Sequence, residues 1–281
     1  MIANKYAILE KLSEGSFGTI VKGKNVRTHE FVAIKMELKT AEQNSLKNEA
    51  RVYNYLGKQN GFPQLKWFGT NEKYNYLVIN LLGSSLTQCI KKYTRLSLKT
   101  TIKMGIQIIV LIRCLHDKLM VHRDIKPDNF LFGLDKCTNK LHLIDLGFCK
   151  RYDYDGKHMA ETRINTLIGT ANFVSLNVHK GLEPSRRDDV ESCIYVMLYM
   201  ITGKLEWLNG TTNRHIFELK RDIVYKDKDK DYVPAFIKSL LTYIRELKFD
   251  ERPNYDHIIN ILDLEYTINL FVDDDKYEWN S

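Results

Sequence analysis

The polar stretch over residues 122–129 holds side chains that together suit the transfer of a phosphoryl group. Asp124 can accept a proton from a hydroxyl, Lys126 can neutralise charge on a moving phosphate, and Asn129 offers an amide oxygen to a cation. Phosphoryl transfer is catalysed mainly by positioning and charge stabilisation, which these residue types can provide. Apolar segments flank the stretch on both sides, which predicts a loop held rigidly above a core. For this stretch alone, a charged surface loop is the alternative.

Upstream, a glycine-containing hairpin precedes a lysine and a glutamate. Strands are predicted over residues 6–12 and 19–26, with a turn over 13–18 in which Gly15 and Gly18 let backbone N–H groups approach a phosphate. Lys35 closes a predicted strand over 31–35, and Glu49 lies on a predicted helix over 40–56 that can bring it to Lys35. Considered singly, such a turn only reverses the chain direction, and such charged side chains are solvated. The order of these features along the chain is what supports a functional role for them.

Downstream, a carboxylate ends a short predicted strand. Strands are predicted over 130–132 and 140–144, and Asp145-Leu146-Gly147 follows them. Mg²⁺ prefers oxygen ligands together with substrate phosphates, so Asp145 is a candidate metal ligand beside Asn129.

Further elements are predicted from periodicity. Strands are expected over 63–69 and 74–81, a crossing between two lobes at 81–83, and helices over 98–117, 192–201, 233–247 and 255–264. Residues 148–170 form a polar segment with little periodicity. Residues 220–231 alternate in charge and predict a solvated loop, and residues 273–275 predict a solvated acidic end.

Composition limits the classes of protein that fit. The chain has 281 residues, 27% of them charged, and a net charge of +7 that is spread along it. Nucleic-acid binding usually needs a clustered basic patch, so no nucleic-acid partner is expected. The five cysteines form no CxxC pair, which gives no sign of a zinc site or disulfide framework. The start lacks the apolar core of a signal peptide, and no apolar run is long enough to span a bilayer. We expect a cytoplasmic and/or nuclear monomer without membrane association.

In order along the chain, the motifs resemble those of eukaryotic-type protein kinases. V-A-I-K ends at Lys35, H-R-D begins at His122 with Asn129 at its end, and Asp145 opens a D-F-G in which leucine replaces phenylalanine. Residues 169–177, 183–192, 80–86 and 128–131 are similar to the casein kinase 1 family, which has S-I-N in place of A-P-E and carries S-R-R-D-D. The resemblance covers nearly the entire chain.

The resemblance implies an α+β, bilobal protein kinase fold. Residues 1–82 would form a small β-rich lobe with the glycine-rich loop, a five-stranded sheet and one key helix, and residues 83–281 a larger, mainly helical lobe. The activity implied is that of a serine/threonine protein kinase, which uses ATP and Mg²⁺ and acts on protein substrates, acidic or phospho-primed ones among them. Lys126 is the residue type that the resemblance links to Ser/Thr rather than Tyr specificity.

The resemblance also assigns roles to single residues. Asp124 is the catalytic base, assisted by Lys126, Asn129, Lys35 and Glu49. Asn129 and Asp145 hold magnesium. The nucleotide would be bound at Leu12, Gly15, Ser16, Phe17, Gly18, Ile20, Ala33, Lys35, Ile79, Leu82, Leu131 and Asp145. Thr170 should hydrogen-bond near Asp124, and Asp189 should brace the catalytic loop.

Departures from the family pattern concern substrate recognition. Asn172 stands where members that prefer acidic or primed substrates have an arginine. The basic cluster of the helix after Trp207 is reduced to Arg214, Lys220 and Arg221. Anion recognition would therefore be weaker or built differently, with Arg186, Arg187 and Arg214 as candidates. Ser13, at the first glycine of the loop motif, is a milder change.

Two rival functions are weighed against a kinase. A pseudokinase would use the fold as a scaffold or nucleotide-binding module, but the polar machinery is all present. A small-molecule phosphotransferase can share an Asp and an Asn at similar spacing, but it would not be expected to carry residues 169–177 or 185–189. Assays with peptides and small molecules would separate these two classes.

Overall fold

The chain divides into two units in a computed structural model, which describes residues 1–15, 18–40, 45–134, 138–208, 210, 212–225 and 233–280. Met1–Ser84 and Leu131–Cys149 form what we call the sheet unit. Ser85–Phe130 and Lys150–Ser281 form the helical unit. The predicted lobe boundary after residue 82 stays a prediction.

An antiparallel sheet of five strands, in the order β1-β2-β3-β5-β4, is the framework of the sheet unit. The strands are β1 Tyr6–Gly15, β2 Gly18–Asn25, β3 Phe31–Leu38, β4 Leu65–Thr70 and β5 Tyr74–Asn80. Their alternating apolar residues bury one face, since successive side chains of a strand point to opposite sides. That core contains Ile2, Tyr6, Val21, Val32, Ile34, Tyr76 and Val78.

The predicted turn between β1 and β2 is shorter than expected. Ser13 pairs with Ile20 and Gly15 pairs with Gly18, so β1 continues through most of the stretch predicted as turn. Ser16 and Phe17 lie outside the described residues.

Helix α1, Leu46–Leu56, begins later in the structure than the prediction over 40–56. Residues 41–44 lie outside the described part of the chain. The helix start is fixed by the buried carboxylate of Glu37, whose Oε1 accepts the N–H groups of Ser45 at 2.9 Å and Leu46 at 3.2 Å. An anion here also complements the positive end of the helix dipole.

Helices make up most of the helical unit. They are α2 Leu86–Tyr93, α3 Leu98–Asp117, α4 Leu176–His179, α5 Arg186–Thr202, α6 Asn213–Asp222, α7 Ala235–Glu246 and α8 Tyr255–Ile268. Helix α3 has the bounds that the sequence predicts, and the Ser97 hydroxyl caps it by accepting the Thr100 N–H. Helix α5 is buried on all sides, as expected for a helix without a polar face at the centre of a domain. It packs against α3 and α7.

Short strands complete the structure. They are β6 Met120–Val121, β7 Phe130–Phe132, β8 Leu141–Leu143, β9 Lys150–Arg151, β10 Asp153–Tyr154 and β11 Lys157–His158. The pairs are β6 with β9, β7 with β8, and β10 with β11. The polar segment over 148–170 therefore has more regular structure than its sequence predicts. The predicted fold class, an α+β protein with a β-rich first part and a helical remainder, is confirmed.

One of the two predicted solvated segments is corrected at its start. Residues 220–222 belong to α6, and Lys220 is fully buried, so the loop predicted over 220–231 is wrong at its start. Residues 226–232 lie outside the described part. At the acidic end, Asp273 and Asp274 form ion pairs with Lys103 and Lys99 on α3, and Asp273 stays 90% exposed, which agrees with the predicted solvated end. No helix among the described residues has the length and apolar character needed to cross a membrane.

The glycine at the end of α5 provides a test of this packing. Gly203 has φ +69°, and a Cβ there would lie 2.0 Å from the carbonyl oxygen of Thr94. We expect Gly203→Ala to lower the free energy of unfolding by about 2–4 kcal/mol, since left-handed strain and overpacking add. The control is Gly156→Ala, at φ +79° with open space around its Cβ, which should cost about 1 kcal/mol. Equal losses in urea unfolding would contradict the packing at Gly203.

Candidate active site

The sheet unit brings together one cation and two carboxylates. Lys35 lies on β3, Glu49 on α1, and Asp145 lies two residues after the end of β8. The Lys35 Nζ donates to Glu49 Oε2 at 2.8 Å and to Asp145 Oδ1 at 2.6 Å. The expected pairing of Lys35 with Glu49 is therefore present, and Asp145 joins it. A lysine held between two carboxylates has a fixed position and direction.

Burial and charge act in opposite directions on this group. Burial alone would lower the pKa of Lys35, but Glu49 and Asp145 outweigh it and the pKa is raised. Burial raises the pKa of Glu49, and the charge of Lys35 opposes that rise. Breaking one partner away would leave a buried charge uncompensated, which is far more costly than the pair itself.

Asp145 is held in an unusual backbone conformation. Its φ of +61° is left-handed, a conformation that non-glycine residues adopt rarely and mostly at functional sites. The following turn is fixed by Asn48 on α1, whose Nδ2 donates to Gly147 O at 2.9 Å and to Cys149 O at 3.0 Å. Leu146 is fully buried and Cys149 is buried. Sequence reasoning missed Asn48, because an amide on a helix surface gives no signal of its target.

The other predicted nucleotide residues of the sheet unit fall into four places. Ala33 and Ile79 are paired neighbours on β3 and β5, and Ile20 on β2 is paired with Lys35. Leu12 is 48% exposed on β1, so it lies in no core. Leu82 and Leu131 are partly buried. The segments that carry them are hydrogen-bonded to each other, because Gly83 N donates to Phe132 O at 2.8 Å. Gly15 is exposed and Gly18 partly buried.

The helical unit brings together a second set of polar groups around Asp124. Its Oδ1 accepts the Thr170 hydroxyl at 2.7 Å, and its Oδ2 accepts the Lys126 Nζ at 2.7 Å. Lys126 Nζ also lies 3.3 Å from Thr170 Oγ1. The amide nitrogen of Asn129 donates to the Asp124 carbonyl oxygen at 2.8 Å. Both oxygens of the Asp124 side chain are thus oriented by donors, and the side chain is only 2% exposed.

The loop that carries Asp124 is held by one carboxylate, that of Asp189. Asp189 Oδ2 accepts the His122 N–H at 2.6 Å, and its Oδ1 accepts the Arg123 N–H at 2.9 Å. His116 Nε2 lies 3.0 Å from the same Oδ2. Burial alone would raise the pKa of Asp189, but the bonds to His116 and His122 outweigh it and the pKa is lowered. Arg123 has φ +72°, a strained conformation that these bonds help to maintain.

Gly169 allows the loop and the segment with Thr170 to approach each other. It has φ +95°, and a Cβ there would lie 2.5 Å from the carbonyl oxygen of Arg123. No other residue type fits without moving one of the two backbones, so the Thr170–Asp124 bond depends on this glycine.

Glu183 is a further residue that the sequence did not single out. Its Oε1 accepts Arg123 Nη1 at 2.9 Å and lies 3.2 Å from Lys150 Nζ, and its side chain is 7% exposed. Its N–H donates to the Thr162 carbonyl oxygen at 2.9 Å. The guanidinium of Arg123 therefore has a carboxylate as its partner. A glutamate after a loop has no periodic signal that predicts this contact.

The basic residues expected to recognise anions do not form a recognition site. Arg186 is buried against the Tyr152 ring and donates to Asp250 O, and Arg187 donates to Glu161 at 2.7 Å and to Leu247 O at 2.9 Å. Arg214 is exposed and pairs with Glu218 on its own helix. The expectation for Arg186 and Arg187 is wrong, because each guanidinium is used inside the fold.

The chain matches a protein family over most of its length. A family model described as a protein kinase domain matches residues 6–262 of the chain. The matched range includes both polar clusters described above.

The double acceptor role of Asp189 leads to a prediction about stability. In Asp189→Asn one side-chain oxygen becomes an N–H donor, so one of the two buried N–H groups at His122 and Arg123 loses its acceptor. We expect the free energy of unfolding to fall by about 2–4 kcal/mol in urea unfolding.

The matched control for that change is Asp117→Asn on α3. Asp117 is 48% exposed and pairs with Arg252, so its loss should cost ~1 kcal/mol or less. A similar cost for the two variants would show that Asp189 does not hold the loop.

Proposed function

Because the chain belongs to the protein kinase domain family, we propose that it is a serine/threonine protein kinase of the casein kinase 1 type. It would transfer the γ-phosphoryl group of ATP to Ser or Thr hydroxyls of protein substrates. The family match, with the β-rich and helical parts described above, confirms the predicted kinase fold class. The observation that carries the proposal is the Asp124 carboxylate held by Thr170 and Lys126, at 2.7 Å each.

Asp124 is the proposed base. A substrate hydroxyl that binds its carboxylate loses its proton to Asp124 as the oxygen attacks the γ-phosphorus of ATP and the bond to the leaving ADP breaks. Thr170 supports this role because its hydroxyl fixes one carboxylate oxygen. Lys126 lies on the other oxygen and can follow the negative charge that develops on the transferred group. We attribute the Ser/Thr preference to Lys126, on the family resemblance.

Lys35 and Glu49 are the proposed nucleotide-anchoring pair. Lys35 would neutralise the α- and β-phosphates, and Glu49 would hold Lys35 in direction, as their 2.8 Å contact supports. Backbone groups at Gly15, Ser16, Phe17 and Gly18 would cover the phosphates. The adenine would lie against apolar side chains, which are Leu12, Ile20, Ala33, Ile79, Leu82 and Leu131. Residues 1–82 and 83–281 are our proposed lobes.

The donor set is suitable for magnesium. Asp145 offers carboxylate oxygens, and Asn129, whose amide nitrogen is bonded to Asp124 O, keeps its oxygen end for a hard cation. We propose Asn129 and Asp145 as the ligands. When bound, the ion neutralises charge on the phosphate oxygens. The Lys35 contact to Asp145 holds that carboxylate in place for it.

A kinetic experiment tests the function. Wild type should transfer phosphate from ATP to casein in the presence of Mg²⁺, and Asp124→Asn should lower kcat by about 10²–10⁴, the usual contribution of a general base. ATP affinity, measured by calorimetry, should be the same in both proteins. A wild type that binds ATP but transfers nothing to casein or to Ser and Thr peptides would support the pseudokinase scaffold instead.

A set of peptides tests the substrate class. Asn172 replaces the arginine of primed-substrate enzymes, and Arg186 and Arg187 are used internally. We expect kcat/KM for a serine peptide to change by no more than about fivefold when a phosphoserine is placed upstream.

Asn172→Arg serves as the positive control for this experiment. It should raise the ratio of primed to unprimed kcat/KM by about tenfold, through a new charge-assisted hydrogen bond. A matching tyrosine peptide should not be phosphorylated. A strong preference of wild type for the primed peptide would contradict the proposed substrate class.

A further inference from the structure

A lysine on α6 is fully buried and has no carboxylate directly on its amine in the described contacts. Lys220 is 0% exposed. Its Nζ donates to Ala171 O at 2.8 Å and to Val174 O at 2.7 Å, and it lies 3.2 Å from His179 Nε2. All three partners lie within one stretch of chain, residues 171–179. The ammonium group therefore binds the backbone of that stretch.

Aromatic rings form the rest of the surroundings of Lys220. Its Nζ is 4.7 Å from the centre of the Tyr195 ring and 5.6 Å from the centre of the Trp207 ring. The faces of such rings attract cations, more strongly when water is excluded. The two rings pack edge to face, 5.3 Å apart, which fixes the walls of the site.

Burial and the charged groups near Lys220 act on its pKa in opposing directions. Burial lowers its pKa, with Glu191 acting against this and Arg245 adding to it. Glu191 is engaged elsewhere, because its Oε1 accepts Arg245 Nε at 3.1 Å and the Tyr195 hydroxyl at 2.6 Å. His179 stays neutral as a neighbour of the amine, since burial and Lys220 lower its pKa to about 4.

Stability alone does not account for a lysine at this position. Replacing a buried charge by an apolar side chain of similar volume is often neutral or stabilising. A buried amine with its donors aimed at two carbonyls of one segment indicates that the conformation of the segment matters.

The segment held by Lys220 leads directly to Asp124. Phe173 N and Val174 N donate to the Thr170 carbonyl oxygen at 2.8 and 3.1 Å, and the Thr170 hydroxyl donates to Asp124. Trp207 Nε1 donates to Asn172 O at 2.7 Å, so the carbonyls of residues 171, 172 and 174 are all fixed by α6 or by Trp207. One face of the segment is thereby anchored, and Thr170 is set against the catalytic loop.

We propose that Lys220 is a positioning residue for protein substrate, which sets the backbone of residues 170–174 so that this segment can receive the peptide beside Asp124. The role rests on the proposed kinase function. Lys220 touches neither substrate nor nucleotide and acts through the carbonyls of Ala171 and Val174. Its effect should therefore fall on the protein substrate and not on ATP.

The test compares Lys220→Met, which keeps the length and loses the charge, with Lys220→Arg, which keeps the charge. The matched control is Arg221→Met, since Arg221 is the next residue of α6, is exposed and pairs with Asp222. We expect Lys220→Met to raise KM for casein about tenfold, the loss expected for one charge-assisted hydrogen bond. KM for ATP should stay within about twofold, and thermal stability should be little changed. Lys220→Arg should recover part of the loss, and Arg221→Met should behave as wild type.

Amide hydrogen exchange gives a readout that does not need activity. The amides of Phe173 and Val174 should exchange about tenfold faster in Lys220→Met than in wild type or Arg221→Met, because their segment is less firmly held. If wild type transfers no phosphate, the proposed function fails while this measurement still decides the role of Lys220. Unchanged exchange with unchanged KM for casein would overturn the proposal, as would equal rises in both KM values together with a loss of stability.

A second neutral variant covers the case in which Lys220→Met does not fold. Lys220→Gln keeps N–H donors for one carbonyl but carries no charge. It should show the same selective rise in KM for casein and the same faster exchange at Phe173 and Val174. Wild-type values for both quantities would overturn the proposal.

Discussion

The carboxylate of Asp189 is the group on which the geometry of the helical unit depends. It lies on the fully enclosed helix α5, and its two oxygens accept the N–H groups of His122 and Arg123. A buried carboxylate is costly unless its oxygens are well bonded, and here His116 completes the set of donors. The strained backbone of Arg123 is stable because both adjoining amides are fixed to one rigid helix. Asp124 is the next residue in the chain, so the same contacts fix the position of its backbone.

In the sheet unit, buried charged groups are stabilised by forming an ion cluster. Lys35, Glu49 and Asp145 come from a strand, a helix and a turn, and each would be unfavourable if buried alone. Glu37 and Asn48 fix the helix and the turn that carry two of these residues. These polar contacts hold the members of the ion cluster in place. Lys220 in the helical unit follows the same principle with backbone carbonyls as partners.

Basic side chains in similar sequence surroundings differ in burial and in their partners in the structure. Arg186, Arg187, Arg214 and Lys220 are all basic residues in polar sequence. Arg214 is solvent-exposed with a partner on its own helix, whereas Arg186, Arg187 and Lys220 are built into the fold. The cause is the path of the backbone around them, since carbonyl groups of distant segments supply the acceptors.

The order and type of most elements, and the residues that can do chemistry, follow from local patterns in the sequence. Helix α3 was predicted with its observed bounds because its apolar spacing and its serine cap are local features. The family could be inferred from motifs such as those at Lys35, Asp124 and Asp145, since spacing along the chain is also local. Other features are visible only in the folded chain. Glu183 pairs with Arg123, and Asn48 holds the turn after Asp145. Lys220 is buried. These contacts join residues far apart in sequence, so burial and hydrogen-bond geometry fix them, and neither is written in any local pattern.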